Sequence, residues 1–128
     1  MAYYTSDMSD ESDLQREIMS AVTAAGGRVF RNNTGMGWAG QIVADIQTGR
    51  GRVVSIGNPR PLHAGLCRGS SDLVGWFRGR FLAIECKTQR GRVSAEQQNF
   101  IDVVNSNGGI GIIARSSADV LSRLRSED

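Results

Sequence analysis

Cysteine, histidine, proline and lysine are all scarce in this chain of 128 residues, with two, one, two and one copies respectively. Two cysteines, Cys67 and Cys86, are too few and too isolated for a disulfide framework or a four-ligand zinc site. Cys86 alternates with charged neighbours in a strand-like run, so it is expected as a buried thiol, and both cysteines as free ones. The lone His63 cannot by itself support a histidine-dependent or zinc-dependent reaction and is read as a loop residue. No run of about 18 apolar residues occurs, which excludes a spanning helix and leaves the membrane out of the expected partners. The first residues, MAYYTSDMSDESD, are acidic and polar, unlike a secretion signal, and a cytoplasmic protein is the expectation.

What is present is 40% apolar residues, enough for a real core, in a length that fits one domain. The net charge of +2 conceals a segregation. Residues 28–92 hold eleven cations against Asp45, Asp72 and Glu85, a balance of +8, whereas the two ends hold four arginines against ten acids. A basic middle is what a polyanion partner requires, because neutralised phosphates supply most non-specific nucleic-acid affinity. The same pattern also arises on an ordinary solvated surface. Fourteen of the fifteen basic residues are arginine, and the exception is Lys87. Lysine is a compact, mobile point charge whose proton affinity responds to burial, so a single lysine among arginines invites a chemical explanation.

Hydrophobic periodicity predicts the element order α-β-(hairpin)-β-β-α-β-α, an α/β chain with a mixed sheet flanked by helices. Residues 1–10 are expected to be a flexible N-terminus and 11–128 a single domain. An amphipathic helix over 11–25 carries Leu14, Ile18, Ala21, Val22 and Ala25 at helical spacing and stops at Gly26-Gly27. A short strand is expected at 28–33 and a β-hairpin insertion over 41–56, with its turn at TGRG. A loop from 57 to 70 holds both prolines. Strands follow at 72–77 and 80–87, joined tightly at Arg78-Gly79. Ser94 opens a second helix, residues 110–114 form an apolar strand suited to a sheet centre, and Ser116 or Ser117 starts the last helix.

In the run RFLAIECK, alternation puts Leu82, Ile84 and Cys86 on one face and Phe81, Ala83, Glu85 and Lys87 on the other. The preceding strand starts with Asp72, and a tight turn makes the pair antiparallel, which brings 72 near 85. Two carboxylates and a backbone carbonyl can hold a hard divalent cation while leaving coordinated water free. Such a cation polarises a phosphodiester and acidifies the attacking water, and a neighbouring lysine orients that water or stabilises the developing charge. Asp72 and Glu85 are accordingly expected as ligands of Mg²⁺ or Mn²⁺, the Cys86 carbonyl as a third, and Lys87 beside the nucleophile. An E-x-K triplet alone carries little information, since about half of all chains this long contain one at average charged usage. Here the triplet ends a strand, an acid starts the partner strand, and the lysine is unique.

The run GLCRGSSDLVGWFRGRFLAIECKTQRGRVSAEQQNFIDVVNSNGGIGIIARS, with the earlier LQREIMSAVTAAGGRVFRNNTG, resembles the VRR-NUC group of PD-(D/E)XK nucleases. Ser71-Asp72 stands in place of Pro-Asp, I-E-C-K follows, and S-A-E-Q opens a helix before Gly-Gly and an apolar strand. Residues 35–65 match least. The resemblance implies a restriction-endonuclease-like, Holliday-junction-resolvase-like fold and Mg²⁺- or Mn²⁺-dependent cleavage of branched or structured DNA, in replication, recombination or repair. It also implies a homodimer of the kind formed by small free-standing, often phage-encoded members, which would act in the host cytoplasm. Asp72, Glu85 and Lys87 match the catalytic motif. Either Gln15 or Glu11 matches the polar residue that the family's first helix turns towards the metal. Ser71 and Gln97 match the shell of the site, although Ser94 to Gln97 also reads as a capping box. Arg31 and Asn33 match an R-x-N-x-G motif that contacts phosphate, and Arg50, Arg52, Arg68, Arg90 and Arg92 complete the expected nucleic-acid-binding set. Trp38 and Trp76 are available for base stacking or for packing in the core or a dimer. The hairpin, rich in isoleucine and valine, is the candidate dimer contact. Two other readings of the same residues are a non-catalytic nucleic-acid-binding module and a sequence-specific restriction-type endonuclease.

Overall fold

The computed structural model describes residues 2–127, with side chains from Asp10 to Glu127. Three helices and six strands follow one another as α1 (Ala2–Ala24), β1 (Arg28–Arg31), β2 (Gly35–Thr48), β3 (Gly51–Ala64), β4 (Leu73–Phe77), β5 (Arg80–Cys86), α2 (Ala95–Ser106), β6 (Ile110–Ala114) and α3 (Ser117–Ser126). Four strands form a mixed sheet in the order β1-β4-β5-β6, and β2 pairs only with β3 in a separate two-stranded ribbon. The β1–β4 and β4–β5 pairings are antiparallel, and β5 runs parallel to β6, with α2 as the crossover. This α/β arrangement is consistent with a restriction-endonuclease-like fold.

Alternation along β5 sorts the two layers as the sequence predicts. Leu82, Ile84 and Cys86 join Ile18 and Val22 of α1 and Val120 and Leu124 of α3 in the main core. On the opposite face Ala83 packs under Ile101 and Val104 of α2. Burying one large aliphatic side chain contributes about 1.5–3 kcal/mol, so the first face holds most of the fold's stability. Between β4 and β5 the chain reverses at Arg78 and Gly79, both at positive φ (51° and 78°). That is the geometry of the two-residue hairpin whose twist matches its strands. Helix α2 starts with a complete capping box, Ser94 accepting from the Gln97 amide while the Gln97 side chain accepts from the Ser94 amide.

Several boundaries differ from those read in the sequence. Helix α1 spans Ala2–Ala24, starting earlier than the residue 11 read in the sequence. Strand β1 ends at Arg31 because Asn32 turns inward. The hairpin expected over 41–56 spans 35–64, and the expected loop from 57 shrinks to the residues after Ala64. Pro59, Pro61 and His63 therefore lie on a strand, with Pro61 opposite Trp38 and His63 opposite Met36. Proline is tolerated there because a two-stranded ribbon consists entirely of edges, where a missing N–H breaks no inner ladder. The described chain contains no helix long and apolar enough to cross a membrane.

Candidate active site

The register of the central hairpin decides which acids meet. Leu73 pairs with Ile84, so the next residues outward, Asp72 and Glu85, come together where β4 begins and β5 ends. The Asp72 carboxylate accepts from the Cys86 amide at 2.9 Å, fixing it across the end of the strand. Lys87 is half-buried one alternation beyond Glu85, and its amide donates to the Ala114 carbonyl at 2.9 Å. The sheet hydrogen bond thus holds the backbone of Lys87 while its side chain stays on the Glu85 side. The turn Thr88–Gly91 folds over the lysine stem, so close that a Cβ at Gly91 would meet the Lys87 Cδ at 3.3 Å.

Glu85 is 1% exposed, and its Oε2 is buried with no hydrogen-bond partner. Burial raises its pKa to about 9; hydrogen bonding to Asp72 and the Asp72 charge add to the shift, Lys87 opposes it, and Glu11 adds slightly. An orphaned buried carboxylate oxygen is a group that a cation can complete. The donor set fits a hard divalent ion: two carboxylates and the nearby Cys86 carbonyl offer oxygen, and neither sulfur nor imidazole intrudes. Among the described residues no group of three or more acidic, histidine or cysteine side chains is gathered to hold a metal. The candidate set is therefore the two carboxylates completed by main chain and water. The Cys86 side chain lies in the core, where burial and then the Asp72 charge push its thiol far above the usual range. Cys67 is free and exposed.

Asn32 is a residue that sequence reasoning missed. It is 8% exposed and ties the end of β1 to the segment carrying Asp72. Its Nδ2 donates to the Ser71 carbonyl and the Ser70 hydroxyl, both at 2.8 Å, and its Oδ1 accepts from the Leu66 amide at 3.0 Å. Its own amide donates to the Asp72 carbonyl at 2.7 Å. Four hydrogen bonds from one residue thus set the backbone on which Asp72 stands. The only signal in the sequence is the pair Asn32-Asn33, of which the outer member, Asn33, is exposed.

The other expected site residues distribute as follows. Ser71 is fully buried and donates to the Leu73 carbonyl at 2.9 Å, a structural bond beside Asp72. Glu11 is exposed on α1, and its charge acts on both Glu85 and Cys86. Gln15 lies one turn further along α1, half-buried. Arg31 is exposed, and its charge acts on Cys86, which puts it on the side of the site. Gln97 uses its side-chain oxygen in the α2 cap. Arg52 forms a two-bond pair with Asp45 on the ribbon, and Arg68 pairs with Glu96 at 3.0 Å. Both pairs are solvent-exposed, so each costs little to exchange for a phosphate. Arg50 lies at the ribbon's tip, Arg92 is exposed beyond the Lys87 turn, and Arg90 lines a cleft of about 530 Å³ with Asp10, Asp13 and Glu17 of α1.

The mixed sheet thus presents two acids and a lysine at the end of an antiparallel hairpin. Residues 62–118 match the VRR-NUC domain, and that stretch contains Asp72, Glu85 and Lys87. That stretch is also the one on which the resemblance of the sequence to the VRR-NUC group chiefly rests. No curated protein matches the chain.

Proposed function

We propose that this protein is a Mg²⁺- or Mn²⁺-dependent deoxyribonuclease that hydrolyses phosphodiester bonds in branched or junction DNA and works as a homodimer. The observation that carries the reading is Glu85, a buried carboxylate with an unpartnered oxygen, held against Asp72 and followed by the chain's single lysine. A purely DNA-binding module has no use for such a group, whose burial costs stability unless a cation completes it. Asp72, Glu85 and the Cys86 carbonyl would hold the ion, with Glu11 or Gln15 of α1 as the polar residue facing it. When bound, the cation polarises the phosphate and lowers the pKa of the attacking water. Lys87, whose charge acts on Glu85, would orient the water and stabilise charge on the non-bridging oxygen. Asn32 and Ser71 keep Asp72 in place, and Arg31, Arg50, Arg52, Arg68, Arg90 and Arg92 supply contacts to the DNA backbone.

Residues 11–128 form the nuclease domain on this reading, with the ribbon as an insertion. Selectivity for branched DNA follows from two active sites related by a two-fold axis, which meet two strands at once. A panel of duplex, nicked, flap, splayed and four-way substrates with Mn²⁺ tests it. Branched substrates are expected to be cut at least about tenfold faster than duplex, a difference of about 1.4 kcal/mol in barrier. Equal rates across the panel would remove structure selectivity from the account.

A further inference from the structure

Alternation and register put the acids of the site on a sheet face that is half open. Phe81, Ala83 and Glu85 share one face of β5, with Trp76 of β4 directly opposite Phe81 and Val74 opposite Ala83. On β1, Phe30 stands opposite Val74 and Arg28 opposite Trp76, so both belong to that face as well. Helix α2 covers it over β5 and β6 rather than over β1 and β4. Three aromatic rings occupy the uncovered part. Phe30 is 50% exposed, Trp76 52% and Phe81 43%, and the first two stand 5.7 Å apart between centroids. Asp72 precedes Trp76 by four residues, about 13 Å along the chain. The aromatic patch and the two acids are therefore two ends of one surface.

We infer that this face is a stacking platform for two or three unpaired nucleotides of the DNA substrate, held on Phe30, Trp76 and Phe81 beside the phosphodiester at Asp72 and Glu85. The inference rests on the nuclease reading above and names the part of branched DNA that is selected, the unpaired segment at the branch. Size favours nucleotides over a protein partner. Five residues of β4 span about 17 Å, and three strands are about 10 Å across, so the patch offers roughly 170 Å² where each side of a stable protein interface buries about 800 Å². Sheet aromatics on such a patch stack two or three bases. Charge points the same way. Neither β1 nor β4 contains an acid, Glu85 is the only acid of β5, and the exposed Arg28 opposite Trp76 offers a cation to the sugar-phosphate backbone. Stacking on a ring tolerates any sequence because every base has a π face, whereas bases in a duplex are already stacked on one another. Such a platform selects structure rather than sequence.

The test uses Trp38→Phe, which leaves Trp76 as the only tryptophan. In excess chelator, Trp76 emission is expected to be quenched by splayed DNA and by a short oligothymidylate and left unchanged by blunt duplex, with binding followed by the anisotropy of labelled DNA. Splayed DNA that binds without quenching Trp76 would overturn the platform and leave the nuclease reading standing. A protein that neither binds nor cuts any DNA with Mn²⁺ present would overturn that reading and the platform with it. Emission that shifts to the blue when the protein alone is concentrated would give the face to a second copy and overturn the platform. Trp76→Ala, at a half-exposed position, is expected to lower the ratio of splayed-DNA to duplex affinity about tenfold, the effect of one lost base stack, and Trp76→Phe to keep most of the ratio. An unchanged ratio in Trp76→Ala would overturn the platform.

Discussion

Replacing Glu85 with glutamine is expected to stabilise the metal-free protein at neutral and alkaline pH, with an effect that grows as pH rises. The folded pKa of Glu85 is raised to about 9 from an ordinary 4.5 by burial, the Asp72 hydrogen bond and the Asp72 charge. Between those values the folded chain keeps a proton that the unfolded chain has released. Stability from this group is therefore fully present below pH 4.5 and is lost progressively as pH rises towards 9. The slope is about 1.4 kcal/mol per pH unit, so about 3 kcal/mol is lost from pH 6 to pH 8. At about 4 °C per kcal/mol for a chain of this size, the wild-type Tm should fall by roughly 10 °C relative to Glu85→Gln over that interval. Glutamine has nearly the same shape and does not titrate, so subtracting its melting profile removes every other ionisation. Adding Mn²⁺ should reverse the loss in wild type, more at pH 8 than at pH 6, because the ion binds the deprotonated carboxylate. The assay is thermal denaturation of both proteins in chelator and in Mn²⁺ across pH 6 to 8. Parallel wild-type and Glu85→Gln profiles in chelator would show that Glu85 is not a strained, proton-holding carboxyl, and the reasoning from its burial would fail.

Lys87→Ala should fold and bind DNA nearly as wild type yet lose cleavage by well over tenfold; a loss within tenfold, about 1.4 kcal/mol in barrier, would remove Lys87 from the chemistry. Asn32→Ala should lower stability by roughly 2–3 kcal/mol, since it strands the Leu66 amide and the Ser71 carbonyl, and should weaken Mn²⁺ binding measured by calorimetry. Unchanged Mn²⁺ affinity in a folded Asn32→Ala protein would mean that Asp72 is positioned without the clasp.

The parts of this protein that were legible in its sequence are those where local pattern and tertiary environment agree. Alternation in RFLAIECK sorted the two faces of β5 because that strand lies between two helical layers, and the tight Arg78-Gly79 turn fixed the antiparallel register that joins Asp72 to Glu85. Ser94 to Gln97 announced a helix start through bonds made within four residues. The ribbon was legible as a hairpin but not in its extent. Pro59 and Pro61 signal a loop by their missing donors, and nothing local reveals that these strands have no inner ladder to interrupt. Asn32 was illegible for a different reason. Two adjacent asparagines after a strand have the same local chemistry, and the inward one is chosen by partners 34 to 39 residues away. The salt bridges of Arg52 and Arg68 were equally hidden, since each depends on which neighbouring acid the fold brings within reach.

The most direct test is cleavage of an end-labelled four-way junction by the purified protein, first in excess chelator and then with Mg²⁺ or Mn²⁺ added back. The account predicts no cleavage in chelator, full recovery with either ion, and no recovery in Glu85→Gln. Cleavage that persists in excess chelator, or that Glu85→Gln retains with Mn²⁺ present, would contradict a metal-dependent centre built on Asp72 and Glu85.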